Sequence, residues 1–307
     1  MNEKAIIGCI LGTAVGDALE LPYEGIAPKR ARKLLGSPDR YRFFFGHGMI
    51  SDDTEHTCMV AQSLIEARDD VDLFVRRFAS RLKWWILAFP AGVGKATARS
   101  GIKLWLGAKP NRAGVFSAGN GPAMRAAIFG AAIDDDSLML KMVRASSRLT
   151  HTDPKAEFGA IAVAFAAFEA RQNEDVDANR WLSKVVDAVG EEGMELTELL
   201  RHAIESVSAG HSTRQFAESK GLGRGVTGYT YDTVPVAIHA WLSSPRDFRR
   251  TVTTIIESLE TTLAASVFEK STLKAPRVNP IAILLRNVLF LFVVLSPGFP
   301  RIAPPYS

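Results

Sequence analysis

The chain of 307 residues has only two cysteines, Cys9 and Cys58, and both lie in apolar surroundings. So few cysteines do not suit a small secreted fold stabilised by disulfides, and we expect a reduced, cytoplasmic protein. A membrane-spanning helix needs about 20 consecutive apolar residues. The most apolar segment, Val288 to Ser296, is too short and follows Arg286 and Asn287. We therefore expect no integral membrane segment, with a peripheral membrane contact as the alternative.

The N-terminal twenty residues are apolar, but they lack the features of a signal peptide. A basic start and a small-residue cleavage site are absent, and Asp17 interrupts the apolar run. A block rich in Lys and Arg with interleaved aromatic residues is missing too, and the net charge is only +4. This diffuse charge gives no support for nucleic acid as a partner. The composition, 47% hydrophobic and 23% charged, is that of an ordinary globular protein.

Alternating strand patterns are absent, whereas apolar residues recur with the period of a helix along most of the chain. Internal repeats and low-complexity linkers are also missing, so we expect a single, compact all-α domain over residues 1–307. In the first helix Gly8, Gly12 and Gly16 share one side, which another backbone can approach closely. The helices are predicted at residues 3–20, 53–67, 73–89, 122–133, 135–148, 155–171, 177–190, 194–209, 232–243 and 246–266.

Two adjacent carboxylates, Asp52 and Asp53, stand at the predicted start of the second helix, after Ser51. Ser51 or Asp52 can cap that helix, and acidic residues there suit the helix dipole. Capping explains one acidic residue, but the second repels the first. Carboxylate and hydroxyl oxygens are the ligands that Mg²⁺, Mn²⁺ or Ca²⁺ prefer, so a metal site is the alternative. Glu24, in the Pro-Tyr-Glu-Gly turn upstream, is either a solvated loop residue or a further group of that site.

Two later segments have the residues of a ligand-binding site. Gly119, Asn120 and Gly121 form a tight turn before Pro122, and free amides at a helix start suit a phosphate. In Thr150-His151-Thr152-Asp153-Pro154, Asp153 or Thr152 can cap the apolar helix that follows, and His151 is left to contact a ligand. The alternatives are an ordinary loop and a histidine with a structural role.

Four segments in this order, "GCILGTAVGDALELPYE", "GMISDDTEHT", "SAGNGPAMRAA" and "THTDPKA", resemble the ADP-ribosylglycohydrolase family. That family includes the dinitrogenase reductase-activating glycohydrolase and the ADP-ribosyl-acceptor hydrolases. The segment "GYTYDTVPVAIHAWL", residues 228–242, also looks like a family segment. The resemblance covers about residues 3–256 and implies a compact orthogonal bundle of helices around a cleft with two Mg²⁺ or Mn²⁺ ions.

The resemblance also implies an activity and the residues that perform it. Family members remove ADP-ribose from modified proteins or from related ADP-ribosyl compounds, which are therefore the expected partners. The metal cluster of the family matches Ser51, Asp52 and Asp53, and Glu24 matches its loop glutamate. Either Asp53 or Glu24 would act as the catalytic carboxylate. The positions that hold ADP-ribose match Ser117, Ala118, Gly119, Asn120, Gly121 and His151.

The sequence departs from the family where a late Gly-Asp-x-Asp-Ser/Thr motif is expected. No aspartate follows Asp247, and the nearest acids, Glu257 and Glu260, have the spacing of a solvated helix face. The chain has diverged from the family, or is shortened relative to it, after about residue 256. We therefore expect one metal ion or none, and impaired hydrolase activity. The alternative is a non-catalytic relative that binds ADP-ribose or has a structural, crystallin-like role.

Overall fold

The computed structural model describes residues 3–23, 26, 28–43, 45–88, 90, 93–172, 175–223 and 225–258. Glu24, Glu260 and the apolar segment 288–296 lie outside these residues. The described part of the chain is all helical and has isolated β-bridges but no strand, which confirms the predicted fold class. In chain order the helices are α1 (Glu3–Glu20), α2 (Pro28–Leu35), α3 (Asp52–Ala67), α4 (Val71–Ile86), α5 (Lys95–Trp105), α6 (Pro110–Ala113), α7 (Gly121–Met124), α8 (Ala127–Ala132), α9 (Asp136–Thr150), α10 (Pro154–Gln172), α11 (Ala178–Val189), α12 (Met194–Ser208), α13 (Thr213–Ser219), α14 (Thr230–Ser243) and α15 (Phe248–Ser258).

Helix α10 lies at the centre of the molecule. Every residue from Ala156 to Ala170 is buried, and the helix packs against α7, α8, α9, α11 and α14. Its apolar sequence is typical of a helix that is buried on all sides. It begins as expected, because Pro154 takes the first helical position and Asp153 accepts a hydrogen bond from the Lys155 amide at 2.9 Å. Its start therefore fixes the position of the preceding His151 segment.

The predicted helix at 122–133 is wrong, because the segment forms two short helices, α7 and α8, separated at Arg125. The backbone of Arg125 leaves helical geometry, with φ −111° and ψ 14°. Its side chain donates to the Gly121 carbonyl, the group that an uninterrupted helix would pair with the Arg125 amide. Helix α5 was not predicted, because Leu104 is the one large apolar residue on its buried face, which is otherwise formed by the small or polar Ala96, Thr97, Ser100 and Gly101.

Helix α1 packs against α3 and α8 with Gly8, Gly12 and Gly16 buried, as expected for a side open to close approach. Within the described residues, the segment Glu3–Tyr23 is the one helical stretch long and apolar enough to cross a membrane by length and composition. Half of its most apolar window is buried inside the protein. A buried core helix has the same length and composition, so this segment is weak evidence for a membrane span.

Helices α8 and α10 approach each other closely at Gly130. A Cβ atom on Gly130 would lie 2.0 Å from the Ala164 carbonyl oxygen and 2.8 Å from the Phe168 nitrogen. Because both are backbone atoms, a Gly130→Ala variant must separate the helices. We expect a loss of about 3 kcal/mol in unfolding free energy, measured by urea denaturation. Gly94→Ala is the matched control: no atom lies within 4 Å of its Cβ position, and a few tenths of a kcal/mol should be lost.

Candidate active site

The start of α3 is held by a carboxylate from α1. The Oδ2 atom of Asp17 accepts a hydrogen bond from the Ser51 amide at 2.7 Å and from the Thr54 hydroxyl at 2.6 Å. The Ser51 hydroxyl donates to Oδ1 of Asp17 at 2.9 Å. The prediction that Ser51 or Asp52 caps α3 is therefore wrong: Ser51 makes no side-chain cap of its own, and Asp17 takes that role from another helix.

Asp52 and Asp53 are both buried where α1 meets α3, and Asp17 and Glu20 of α1 are buried beside them. Burial and the nearby charge of Asp17 raise the pKa of Asp52 to about 8. Burial and the charges of Asp52, Asp17 and Glu20 raise the pKa of Asp53 well above its usual range. The charges of α1 thus disfavour ionisation of Asp52 and Asp53, and a cation beside these two carboxyl groups would relieve the repulsion.

The donor chemistry of Asp52 and Asp53 fits a hard cation. Oδ1 of Asp52 is buried and has no hydrogen-bond partner among the described residues, and carboxylate oxygens are what Mg²⁺ and Mn²⁺ bind. Within the described ranges, however, no group of three or more His, Cys, Asp or Glu side chains is close enough to hold a metal. Mg²⁺ commonly binds through one or two carboxylates and keeps several waters, so the pair suits a weakly held ion. Glu24 lies outside the described residues, and Glu257 is exposed and accepts a hydrogen bond from Ser37.

The turn from Ser117 to Gly121 is fixed by the segment before α14. The Asn120 amide donates to the Gly228 carbonyl at 3.1 Å, and the Thr230 amide and hydroxyl donate to the Ala118 carbonyl at 3.0 and 2.8 Å. These bonds hold the turn without any ligand. The "GYTYDT" segment, which resembles a family segment, therefore has a structural role in supporting the turn.

The same bonds limit how the turn can bind an anion. The Asn120 amide is engaged by Gly228, and the Gly119 amide donates to the Ser117 hydroxyl at 3.3 Å. Helix α7, which follows, has only four residues, so it brings little helix dipole. The side-chain amide nitrogen of Asn120 is buried and has no partner within the described part of the chain. This nitrogen can donate to a ligand, whereas the sequence pointed only to the backbone amides of the turn as donors.

His151 lies directly against the glycine turn, so the structure brings these two predicted elements together. The His151 Nε2 atom lies 3.1 Å from the point where a Cβ of Gly119 would be, and Cε1 lies 2.8 Å from the equivalent point on Gly121. Larger residues at either glycine would displace the ring. Nδ1 shares a hydrogen bond of 2.9 Å with the Thr150 hydroxyl. Burial, followed by the charge of Arg125, lowers the pKa of His151 to about 3, so its imidazole is neutral at pH 7.

Arg125 connects the glycine turn to α3 and α9 and is fully buried. Its Nη1 donates to the Gly121 carbonyl at 3.0 Å and lies 3.4 Å from Nδ1 of His56. Its Nη2 donates to the Thr150 hydroxyl at 2.7 Å and to the Ser146 carbonyl at 2.9 Å, and Nε donates to the Ser146 hydroxyl at 3.0 Å. Burial lowers the pKa of Arg125 to about 9. Since Arg125 has no acceptor, it fixes the neutral His56 tautomer with the proton on Nε2.

His56 brings the two halves of the site into contact, because it lies one turn after Asp52 on α3. Its ring packs edge-on against Trp85, with centroids 4.5 Å apart. The Trp85 indole donates to the Glu55 carboxylate at 2.7 Å, which fixes Trp85 against the first turn of α3. Burial, followed by the charges of Arg125 and His151, lowers the pKa of His56 well below its usual range.

The sequence-based prediction of the site omitted Asp17, His56 and Arg125. Each leaves a signal in the sequence: an acid in an apolar helix, a histidine one turn after an acidic pair, and an arginine among small apolar residues. Polar residues in apolar runs are buried only with partners. That rule predicts that these three residues have polar contacts, but it does not predict which residues provide them.

The chain is similar in sequence to a known family and to two uncharacterized relatives. The family model of the ADP-ribosylglycohydrolases matches residues 2–259. An uncharacterized protein of Archaeoglobus fulgidus is 32% identical over 257 residues, which are 81% of this chain and 80% of that protein. The uncharacterized protein YegU of Escherichia coli is 29% identical over 224 residues, 66% of this chain and 61% of that protein.

A solved structure, titled ADP-ribosylglycohydrolase-related protein complex, has the same fold. It matches with a TM-score of 0.59 at 22% identity and covers 96% of this chain and 88% of that chain. At this identity the match concerns the fold alone. The family match over five sixths of the sequence shows that the chain belongs to the ADP-ribosylglycohydrolase family.

Proposed function

We propose that the chain is a metal-assisted hydrolase that releases ADP-ribose from modified proteins or related ADP-ribosyl compounds. The observation that carries the proposal is the Arg125–His56 contact, which joins the buried carboxylates of α3 to the turn beside His151. Such a hydrolase needs a charged centre next to a nucleotide site, and the contact between α3 and the glycine turn supports this proposal. The two free cysteines support a cytoplasmic location, which stays a prediction.

The proposed chemistry is cleavage at C1″ of the distal ribose through an oxocarbenium-like state, as in glycoside hydrolysis. A bound Mg²⁺ or Mn²⁺ would supply positive charge for the ribose hydroxyls and lower the pKa of an attacking water. Asp52 and Asp53 would hold the ion, with Ser51 as a further oxygen. Asp53 or Glu24 would take the proton from the water. The neutral His151 and the Asn120 side chain would donate hydrogen bonds to the ADP-ribose.

A non-catalytic role is the second candidate, and a specific observation favours it. The sequence has no aspartate after Asp247, so the late pair of metal ligands expected in the family is missing. Poor positioning of water and ribose alone can raise the activation barrier by several kcal/mol, and every increase of about 1.4 kcal/mol lowers the rate tenfold. Hydrolysis of an ADP-ribosylated protein with excess Mn²⁺ separates the two candidates, because a non-catalytic binder would bind the ADP-ribosyl group without cleaving it from the protein.

Calorimetric titration with ADP-ribose tests the binding site itself, whichever candidate is right. We expect Asn120→Asp to weaken binding about tenfold or more, because it replaces a buried donor with an acceptor that repels phosphate. Asn179→Asp, the same change on the exposed surface of α11, should leave affinity unchanged. Undetectable binding by the folded wild-type protein at millimolar ADP-ribose would overturn the proposed site.

A further inference from the structure

The segment between Asp72 and Asp134 contains no acidic residue. It has ten basic residues, although Lys and Arg exceed Asp and Glu by only four in the whole chain. This segment includes α4, α5 and α6, which follow one another along the surface of the protein. Arg125 is fully buried, but the other nine basic residues are exposed or half-buried, so this part of the surface is rich in cations within a chain of nearly balanced charge.

The outer face of α5 contributes cations that the rest of the described protein does not neutralise. Lys95 and Arg99 are exposed, one turn apart, and neither forms an ion pair with any described residue. Lys103, one turn further, donates to the Gly114 carbonyl at 2.9 Å and not to a carboxylate. On α4, by contrast, Arg77 and Arg81 are paired with Glu66. Arg76 and Lys83 of α4 form no ion pair with a described residue either, and Lys83 lies 4.4 Å from the centroid of the Trp105 ring. The unpaired cations therefore lie along both helices.

Large apolar side chains lie beside these cations. Trp84 on α4 is 64% exposed, and its ring meets Trp105 of α5 edge-on with centroids 5.2 Å apart. Leu106, at the end of α5, is 83% exposed. Leu87 and Ile102, one turn from Trp84 and Leu106, are also exposed. Exposed apolar residues that cluster inside a polar rim mark interaction surfaces.

We call this surface the α4–α5 patch and define it by Trp84, Leu87, Lys95, Arg99, Ile102 and Leu106. Neighbouring residues on the same two helices connect the patch to the candidate active site. Trp85, the neighbour of Trp84, contacts His56 and Glu55. The hydrogen bond from Lys103 to the Gly114 carbonyl joins α5 to the segment that leads through the exposed Phe116 to the turn at Ser117.

Charge decides among the possible occupants of the patch. A second copy of the chain would bring the same cations face to face, which opposes a symmetric contact. Residues 259–307 have five basic and two acidic side chains, so they do not complement the patch either. An acidic surface with apolar residues at its centre complements both the cations and Trp84, Ile102 and Leu106.

Resting on the proposed function, we infer that the α4–α5 patch docks the acidic surface of a protein whose ADP-ribosyl group lies in the adjoining site. The substrate class is then an ADP-ribosylated acidic protein and not a free ADP-ribosyl metabolite. A protein partner is favoured over a bilayer or a nucleic acid because the patch adjoins a site for a group that is attached to proteins. Docking would supply affinity beyond that of the ADP-ribosyl group.

The test uses the whole chain and two synthetic peptides that carry no ADP-ribose: one alternates Glu with Leu and Trp, and the other has Lys in place of Glu. We expect the acidic peptide to bind more tightly and with a strong salt dependence. Lys95→Glu/Arg99→Glu should weaken that binding roughly tenfold. Arg249→Glu/Arg250→Glu, an equal change of charge on exposed residues near the start of α15, should not. Leu106→Ser should weaken it without changing its salt dependence.

Two results would overturn the inference: equal binding of the acidic and basic peptides, or unchanged affinity in Lys95→Glu/Arg99→Glu. Tighter binding to anionic lipid vesicles or duplex DNA than to the acidic peptide would also reject a protein partner. Free ADP-ribose is titrated separately into each variant. Its failure to bind would count against the proposed function, whereas the unmodified peptides test only the patch.

Discussion

Replacing Arg125 with methionine is expected to lower the unfolding free energy by about 3–5 kcal/mol. Methionine fills a similar volume, but it donates to none of the groups that Arg125 satisfies. The Gly121 and Ser146 carbonyls, the Thr150 hydroxyl and Nδ1 of His56 would each lose a donor inside the protein. Each buried polar group without a partner costs about 1–3 kcal/mol. Part of this loss is offset because the substitution also removes a buried charge, which is itself unfavourable in the folded state.

ADP-ribose binding should fall as well, because Arg125 positions both the glycine turn and, through Thr150, the ring of His151. Urea denaturation measures the first effect, and calorimetry on the folded fraction at low temperature measures the second. Arg171→Met is the matched control. Its buried guanidinium binds Asp134 and the Ala131 and Ile133 carbonyls. We expect this control to lose stability but keep its affinity. Equal losses of affinity in both variants would reduce the role of Arg125 to stability alone.

The sequence predicted the fold well because helical periodicity is a local property. The long amphipathic or apolar helices, such as α3, α9, α10 and α12, match their predicted ranges within a few residues. The misplaced elements are short or weakly apolar. The helix expected at 122–133 is divided because the Arg125 side chain takes a carbonyl of its own helix, and periodicity contains no information about that bond.

The candidate site was predicted only in part, because its contacts join residues far apart in the chain. Asp17 binds Ser51 and Thr54 across 34 and 37 positions, and Arg125 meets His56 across 69. A motif shows which residue types occur together in the sequence, but the partner of a buried charge is fixed by how the helices pack. The metal site at Asp52 and Asp53 was predicted because adjacent carboxylates repel each other. That Asp17 and Glu20 lie beside them could be seen only from the packing of α1 against α3.

In the metal-free protein, stability is expected to depend on pH through Asp52. Its pKa is raised to about 8 in the folded state, whereas an unfolded aspartate has a pKa of about 3.9. Between these values the folded state holds a proton that the unfolded state does not. The stability contribution is therefore complete below about pH 4 and is lost as pH rises towards 8, at about 1.4 kcal/mol per pH unit. The charged groups around it, Asp17, Glu20, Asp53 and Glu55, are all acidic.

An Asp52→Asn variant isolates this effect. The buried residues His56, His151 and His239 have lowered pKa values and make stability rise with pH. Because wild type and variant both contain these histidines, their contribution cancels in the comparison. We expect its stability relative to wild type to increase steadily from pH 5 to 8, measured by urea denaturation in EDTA. Excess Mn²⁺ should then stabilise wild type at pH 8 and leave Asp52→Asn and Asp53→Ala unchanged. Asp69→Asn, an exposed aspartate at the end of α3, should behave as wild type throughout. Mn²⁺ stabilisation that persists in Asp52→Asn would place the ion elsewhere, and a relative stability independent of pH would mean that Asp52 is ionised in the fold.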